Sequence, residues 1–131
     1  MLKANLKALI VDDSDMSRRI AAKIVSRVFV CDLAEDGSIA VRKYKEAIDA
    51  GEPYDIIFMD VIMPEMDGKE AVRKIREHEE HTGQQRTPII MVSASETLEG
   101  IEGMVNGLLR KALSKEALDD ILRELFPEAM D

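Results

Sequence analysis

Four apolar runs in this sequence each lead into residues that can do chemistry. Ala8-Leu9-Ile10-Val11 runs into Asp12-Asp13, Ile56-Ile57-Phe58-Met59 into Asp60, Ile89-Ile90-Met91-Val92 into Ser93, and the shorter Gly107-Leu108-Leu109-Arg110 into Lys111. If the runs are strands of one open α/β sheet, these residues meet beyond its carboxyl edge, where such sheets bind ligands. Three carboxylates brought together repel one another unless a cation lies between them. Oxygen-only donors of high charge suit a hard ion such as Mg²⁺, which keeps several waters and accepts phosphate oxygens. With a hydroxyl and an ammonium added, the set suits phosphoryl chemistry. The cation and Lys111 would spread the developing charge, Ser93 would donate a hydrogen bond, and a carboxylate would attack in line.

Taken singly, each residue has a plainer explanation. Asp12 or Asp13 would cap the next helix, since Asp is a favoured N-cap. Asp60 would be a turn residue ahead of Met63-Pro64 and Asp67-Gly68, which punctuate a turn and a helix start. Ser93 would be a structural hydroxyl and Lys111 a solvated charge. Their joint occurrence at successive strand ends is what raises them above these readings.

The elements that must position them follow from periodicity. Uninterrupted apolar runs of this length suit central strands of a parallel sheet, buried on both faces. Helical spacing relates Met16, Ile20, Ile24 and Val28, then Ala40, Tyr44, Ala47 and Ile48, and later Leu118, Ile121, Leu122 and Leu125. Val30 to Ala34 is mixed enough for one edge strand, and Gly107 to Lys111 is short enough for the other. Thr97 to Asn106 carries Gly100 and Gly103, each costing about 1 kcal/mol relative to Ala inside a helix, and is expected to be a helix of low stability. Five β-α units result, a doubly wound α/β sheet with right-handed crossovers and five helices.

The chain has 131 residues, 46% of them hydrophobic and 34% charged, which fits a single globular domain over residues 1–131. Its 26 acidic and 18 basic residues leave a formal charge of −8, which disfavours a nucleic-acid surface or an anionic membrane. Met1 to Lys7 lacks the apolar core of a signal peptide, and no run approaches the roughly 20 apolar residues of a membrane span. The single cysteine, Cys31, forms no internal disulfide, fits a reducing compartment, and reads as a small buried hydrophobe. A cytoplasmic location is expected. Glu77-His78-Glu79-Glu80-His81 reads as a solvated helix end, and the eight methionines as core filling.

The segments Val11-Asp12-Asp13-Ser14, Asp60-Val61-Ile62-Met63-Pro64-Glu65-Met66-Asp67-Gly68, Ser93-Ala94 and Lys111 together resemble the receiver domain of response regulators, in order and spacing, from about Leu6 to Phe126. The resemblance implies a flavodoxin-like sheet of strand order 2-1-3-4-5. It makes Asp60 the acceptor of a phosphoryl group from a phosphohistidine on a sensor histidine kinase or histidine phosphotransfer protein. It makes Asp13, Asp60 and the backbone carbonyl of Ile62 direct Mg²⁺ ligands, with Asp12 acting mainly through water. Ser93 would bind a phosphoryl oxygen and Lys111 would pair with the phosphate. The side chains of Ile62 and Ser95 would border the water that hydrolyses the acyl phosphate. The modified domain would change its binding to a downstream effector, as a signalling domain and not a conventional enzyme. Pairing of two copies through the last two helices and the strand between them is also a family habit.

Two positions depart from that pattern. Ala112 stands where the family has a proline joined by a cis bond. A non-proline cis bond costs ~3 kcal/mol, so a trans Lys111-Ala112 bond is expected. Leu108 replaces a Tyr or Phe whose ring follows the Ser/Thr inward, so signalling is expected to run through 97–106 instead. The 78–87 stretch, with Thr87-Pro88-Ile89-Ile90, resembles receivers fused to hybrid sensor kinases. Two other readings compete: a pseudo-receiver that binds partners without being phosphorylated, and a Mg²⁺-dependent aspartyl phosphatase of haloacid-dehalogenase type. The latter needs Asp-x-Asp after its first strand, whereas this chain has adjacent Asp12-Asp13. A flavodoxin-like FMN site is disfavoured by the absence of a Ser/Thr/Gly phosphate loop and of tryptophan.

Overall fold

Alternation of apolar strand and amphipathic helix produces a parallel five-stranded sheet with strand order β2-β1-β3-β4-β5. The computed structural model describes residues 6–129, so the signal-peptide reading of Met1 to Asn5 lies outside the described residues. The elements are β1 (Leu6–Val11), α1 (Asp15–Val25), β2 (Phe29–Ala34), α2 (Gly37–Asp49), β3 (Ile56–Asp60), α3 (Gly68–Thr82), β4 (Ile89–Ser93), β5 (Gly107–Arg110) and α4 (Lys115–Leu125). No helix among the described residues is long and apolar enough to cross a membrane.

The central strands β3 and β4 are buried along their whole length, as continuous apolar runs demand. Alternate side chains feed two cores. On one face Leu9, Ile57, Met59 and Met91 pack with Tyr44, Ala71 and Ile75 of α2 and α3. On the other, Ile10, Phe58 and Ile90 pack with Val25 of α1 and with Leu118 and Leu122 of α4. Each helix begins with a short polar cap whose side chain accepts a backbone N–H three residues on: Ser14 from Ser17, Asp36 from Ile39, Asp67 from Glu70, Ser114 from Ala117. Gly83, at φ 72°, closes α3 in the left-handed conformation.

Three expectations are corrected. Four α-helices, not five, occur among the described residues, because 97–106 is a run of turns. Gly100 at φ 90° and Gly103 at φ 86° lie in the left-handed region, which a right-handed helix cannot include. The segment's carbonyls bond elsewhere: Lys69 donates to Glu99 O, Arg76 to Met104 O and Arg86 to Gly103 O, while Arg110 donates to the carbonyl of Glu96 just before it. The α1 stripe is the second correction. Its Ile24 and Val28 do pack on the core, but Met16 is 72% and Ile20 50% exposed, because the helix packs through Ala21, Ala22, Ile24 and Val25.

The third concerns Glu79, expected on a solvated helix end. It is buried, and it accepts hydrogen bonds from Tyr44 Oη (3.0 Å), Arg76 Nη1 (2.8 Å) and the Thr87 N–H (2.9 Å). This carboxylate ties α2, α3 and the approach to β4 together, and it pushes the Tyr44 hydroxyl upward in addition to the effect of burial. Removing it leaves the buried Arg76 guanidinium without its ion partner. Glu79→Ala is therefore expected to lower stability by roughly 3–5 kcal/mol, measured by urea unfolding. A loss of only a few tenths would show that the network contributes little.

Candidate functional site

The sheet order places the ends of β1, β3, β4 and β5 side by side, with β3 between β1 and β4. Asp60 is the last residue of β3 and Ser93 the last of β4, with Asp12-Asp13 just beyond β1 and Lys111 just beyond β5. One carboxylate oxygen from each of Asp12, Asp13 and Asp60 can be chosen so that all lie within 4.8 Å of one another. Asp12 and Asp60 are buried and Asp13 is exposed, so the cluster opens to solvent on the Asp13 side. The Lys111 ammonium bridges the two buried acids, 2.9 Å from Asp12 Oδ2 and 3.1 Å from Asp60 Oδ2.

Local sequence holds these groups in place. The Ser14 N–H donates to Asp12 Oδ1 at 2.9 Å, and Arg18 Nη1 donates to the Asp12 carbonyl at 2.6 Å. Gly68 starts α3 directly against β3. A Cβ there would fall inside contact distance of the Asp60 carbonyl, while the Gly68 N–H donates to Val61 O at 2.8 Å. The glycine of Asp67-Gly68 therefore does more than punctuate a turn; it lets the helix approach the strand end that carries Asp60. Ile62 lies in the intervening loop and is 61% exposed, whereas the next residue, Met63, is buried. The Lys111-Ala112 bond is cis, contrary to the trans expectation, so the preference of an isolated peptide does not decide the isomer here. The Lys111 N–H donates to Ser93 O at 2.9 Å, and the ammonium reaches both acids.

Charge sets the behaviour of the cluster. Burial pushes Asp60 up to about 6; the Lys111 hydrogen bond opposes the rise, and the Asp12 and Asp13 charges reinforce it. Burial works against the Lys111 ammonium, but its bonds to Asp12 and Asp60 outweigh that and raise its pKa. The donor set fits a hard divalent cation. It is all oxygen, carries up to three negative charges, and leaves Asp60 poorly stabilised as an anion by the protein alone.

Ser93 is fully buried, and its hydroxyl faces Glu96, with Oγ 2.9 Å from Glu96 Oε1 and 3.2 Å from the Glu96 carbonyl. Glu96 Oε2 accepts from Ser95 Oγ at 3.2 Å. Neither Glu96 nor Arg110, which donates to the Glu96 carbonyl at 2.8 Å, stands out in the sequence. The available signal was the Ser-x-x-Glu spacing of Ser93 and Glu96, which matches a helix capping box although no helix follows. Leu108 packs against the α2–α3 core with Leu98, Met104 and Val105. Cys31 is half-buried, and burial followed by the Asp32 charge pushes its thiol up to about 11, so it is a poor nucleophile.

The family model described as response regulator receiver domain matches residues 8–125. Histidine kinase CKI1 of Arabidopsis thaliana is 36% identical over 134 residues, covering 91% of this chain and 12% of that protein. The chain thus spans about a tenth of the length of the plant kinases it matches. The crystal structure of the CKI1 receiver domain complexed with Mg²⁺ and BeF₃⁻ superposes with a TM-score of 0.77 and 34% identity, over 92% of this chain and 89% of that one. A co-crystal structure of the Saccharomyces cerevisiae phosphotransfer protein Ypd1 with the receiver domain of Ssk1 matches at TM-score 0.81 and 25% identity, over 98% and 94%.

A carboxylate whose folded pKa is raised from 3.8 to about 6 binds its proton more tightly in the native state than unfolded. Asp60 therefore favours folding at low pH, and that contribution is lost as pH rises through about 6. In metal-free buffer, Asp60→Asn is expected to be more stable than the parent by about 1–3 kcal/mol at pH 7.5, with the gap closing toward pH 4.5. Paired urea titrations check this, and an Asn variant less stable than the parent at pH 7.5 would contradict it.

Proposed function

Because the chain belongs to the response regulator receiver domain family, we propose that Asp60 accepts a phosphoryl group from the phosphohistidine of a histidine kinase or histidine phosphotransfer protein, and that the modified domain changes its partner binding. The observation that carries this reading is the placement of Asp60 at the end of β3, beside Asp12 and Asp13 and within 3.1 Å of a lysine ammonium.

A carboxylate oxygen of ionised Asp60 attacks phosphorus as the P–N bond to imidazole breaks, forming an acyl phosphate. With a pKa of about 6, Asp60 is mostly ionised at neutral pH and so available as the nucleophile. Lys111 already rests on the acceptor and follows the charge onto the phosphoryl oxygens. The Ser93 hydroxyl would donate a hydrogen bond to one of those oxygens. Asp13, Asp60 and the Ile62 carbonyl would hold Mg²⁺, with Asp12 acting through water. Bound there, the ion would supply charge neutralisation for the acidic cluster and coordination for phosphate oxygens. The side chains of Ile62 and Ser95, both exposed, would border the water that hydrolyses the acyl phosphate. Such self-limited chemistry makes a switch and not a turnover enzyme.

The partner surface has support of its own. A groove lined by Ile20, Ala21, Ala112 and Leu113 runs beside Asp12 and Lys111, and the exposed Met16, Ile20 and Ile62 surround the same edge. Apolar contact there would seat the element carrying the phosphohistidine. The relative solved with a phosphotransfer protein supports that class of partner.

Acetyl phosphate with Mg²⁺ is expected to add one phosphoryl group to the protein by intact mass, and Asp60→Asn to abolish the addition. Added Mg²⁺ is expected to raise the melting temperature of the parent, by about 1.4 kcal/mol of stability at tenfold excess over its dissociation constant. Mg²⁺ binding without labelling would favour the unphosphorylated interaction module. Steady release of phosphate from unrelated phosphomonoesters would favour the aspartyl phosphatase.

A further inference from the structure

Resting on the acceptor reading of Asp60, a second function can be assigned to a residue outside the acidic cluster. A serine hydroxyl has one proton to donate. In this structure the Ser93 proton is directed at Glu96, whose Oε1 lies 2.9 Å away and whose carbonyl lies at 3.2 Å. Ser95, at the mouth of the site, is directed to the other oxygen of the same carboxylate at 3.2 Å. Glu96 is itself anchored, because Arg110 on β5, next to Lys111 in the chain, donates to its carbonyl at 2.8 Å. Ser93 cannot donate to a phosphoryl oxygen on Asp60 without first leaving Glu96. We propose that Glu96 is a positioning residue that competes with the phosphoryl group for the Ser93 hydroxyl proton, and so sets how far the site favours its unmodified state.

Two effects act in the same direction. The carboxylate offers Ser93 a charge-assisted acceptor, which a neutral side chain would not match. Its negative charge also sits next to the hydroxyl that must meet a phosphoryl dianion. Once Ser93 turns, Glu96 loses that bond, and it is the first residue of the stretch that leads into the turns of 97–106. Those turns are held by side-chain bonds from Lys69, Arg76 and Arg86 to backbone carbonyls, so a change at Glu96 can propagate without an aromatic ring at position 108.

The test is a titration of Mg²⁺-loaded protein with beryllofluoride, followed by amide shifts, for the parent, Glu96→Ala, Glu96→Gln, Ser93→Ala and the Ser93→Ala/Glu96→Ala pair. Glu96→Ala is expected to bind beryllofluoride about 3- to 10-fold more tightly than the parent. Glu96→Gln, which keeps an acceptor but not the charge, should fall between. Most of the gain should vanish in the Ser93→Ala background, which a purely structural role of Glu96 would not require. Unchanged or weaker binding by Glu96→Ala, or an equal gain in the Ser93→Ala background, would overturn the proposal while leaving the acceptor reading intact. A parent protein that takes up no beryllofluoride with Mg²⁺ present would overturn both.

Discussion

The rest of the site depends on electrostatic crowding at one edge of the sheet. Three carboxylates share a space in which chosen oxygens lie within 4.8 Å, and two of them are buried. Folding brings them together because their strands are adjacent and parallel, not because they attract. Lys111 relieves part of the repulsion, yet Asp60 still rises to about 6. The apolar cores on both faces of the sheet must offset that cost. A site assembled against its own charge is receptive to cations, and to chemistry that delocalises the charge of Asp60.

Lys111 and Ser93, the donors at the ends of β5 and β4, have different partners. Lys111 is already committed to the acids and needs only to follow charge outward. Ser93 is committed away from them, to Glu96. On the proposed modification of Asp60, the two strand-end donors would respond in different ways, one by tightening an existing pair and the other by exchanging partners. Only the second would rearrange the surroundings, since Glu96 leads into 97–106. That stretch has few helical bonds of its own and is pinned by long side chains from α3 and from Arg86, with Arg110 of β5 holding the Glu96 carbonyl just before it. Segments held in this way lie toward the low end of local stability, where switching elements are drawn from.

What the sequence revealed divides along the range of the interactions involved. Strand identity and the placement of Asp12, Asp13, Asp60, Ser93 and Lys111 at strand ends were legible, because burial on two faces leaves an uninterrupted apolar run. The acidic and Asp-Gly punctuation is local too. At 97–106 propensity alone predicts a weak helix, whereas Gly100 and Gly103 both adopt left-handed φ and exclude the helix outright. The burial of Glu79 is not legible because it depends on Tyr44, 35 residues away, and no local pattern encodes that pairing. Met16 and Ile20 kept helical spacing yet face solvent beside the site. Periodicity reports an apolar stripe but not whether the protein itself or another molecule covers it.

Leu108 and Glu96 are best understood together. An aromatic side chain at position 108 would need space to swing, whereas Leu108 is packed with Leu98, Met104 and Val105 against the core on the α2–α3 face. With that position filled, a rearrangement at Ser93 has to leave the site along another route. The observed bonds provide one from Ser93 to Glu96, and from the Glu96 carbonyl to Arg110 on β5. Arg110 precedes Lys111, so both strand-end donors connect through a single short piece of backbone. Hydrogen bonds can be exchanged in this way with little change in the packed interior, which close packing would otherwise resist. A switch that exchanges the partners of a hydroxyl does not require the core to reopen.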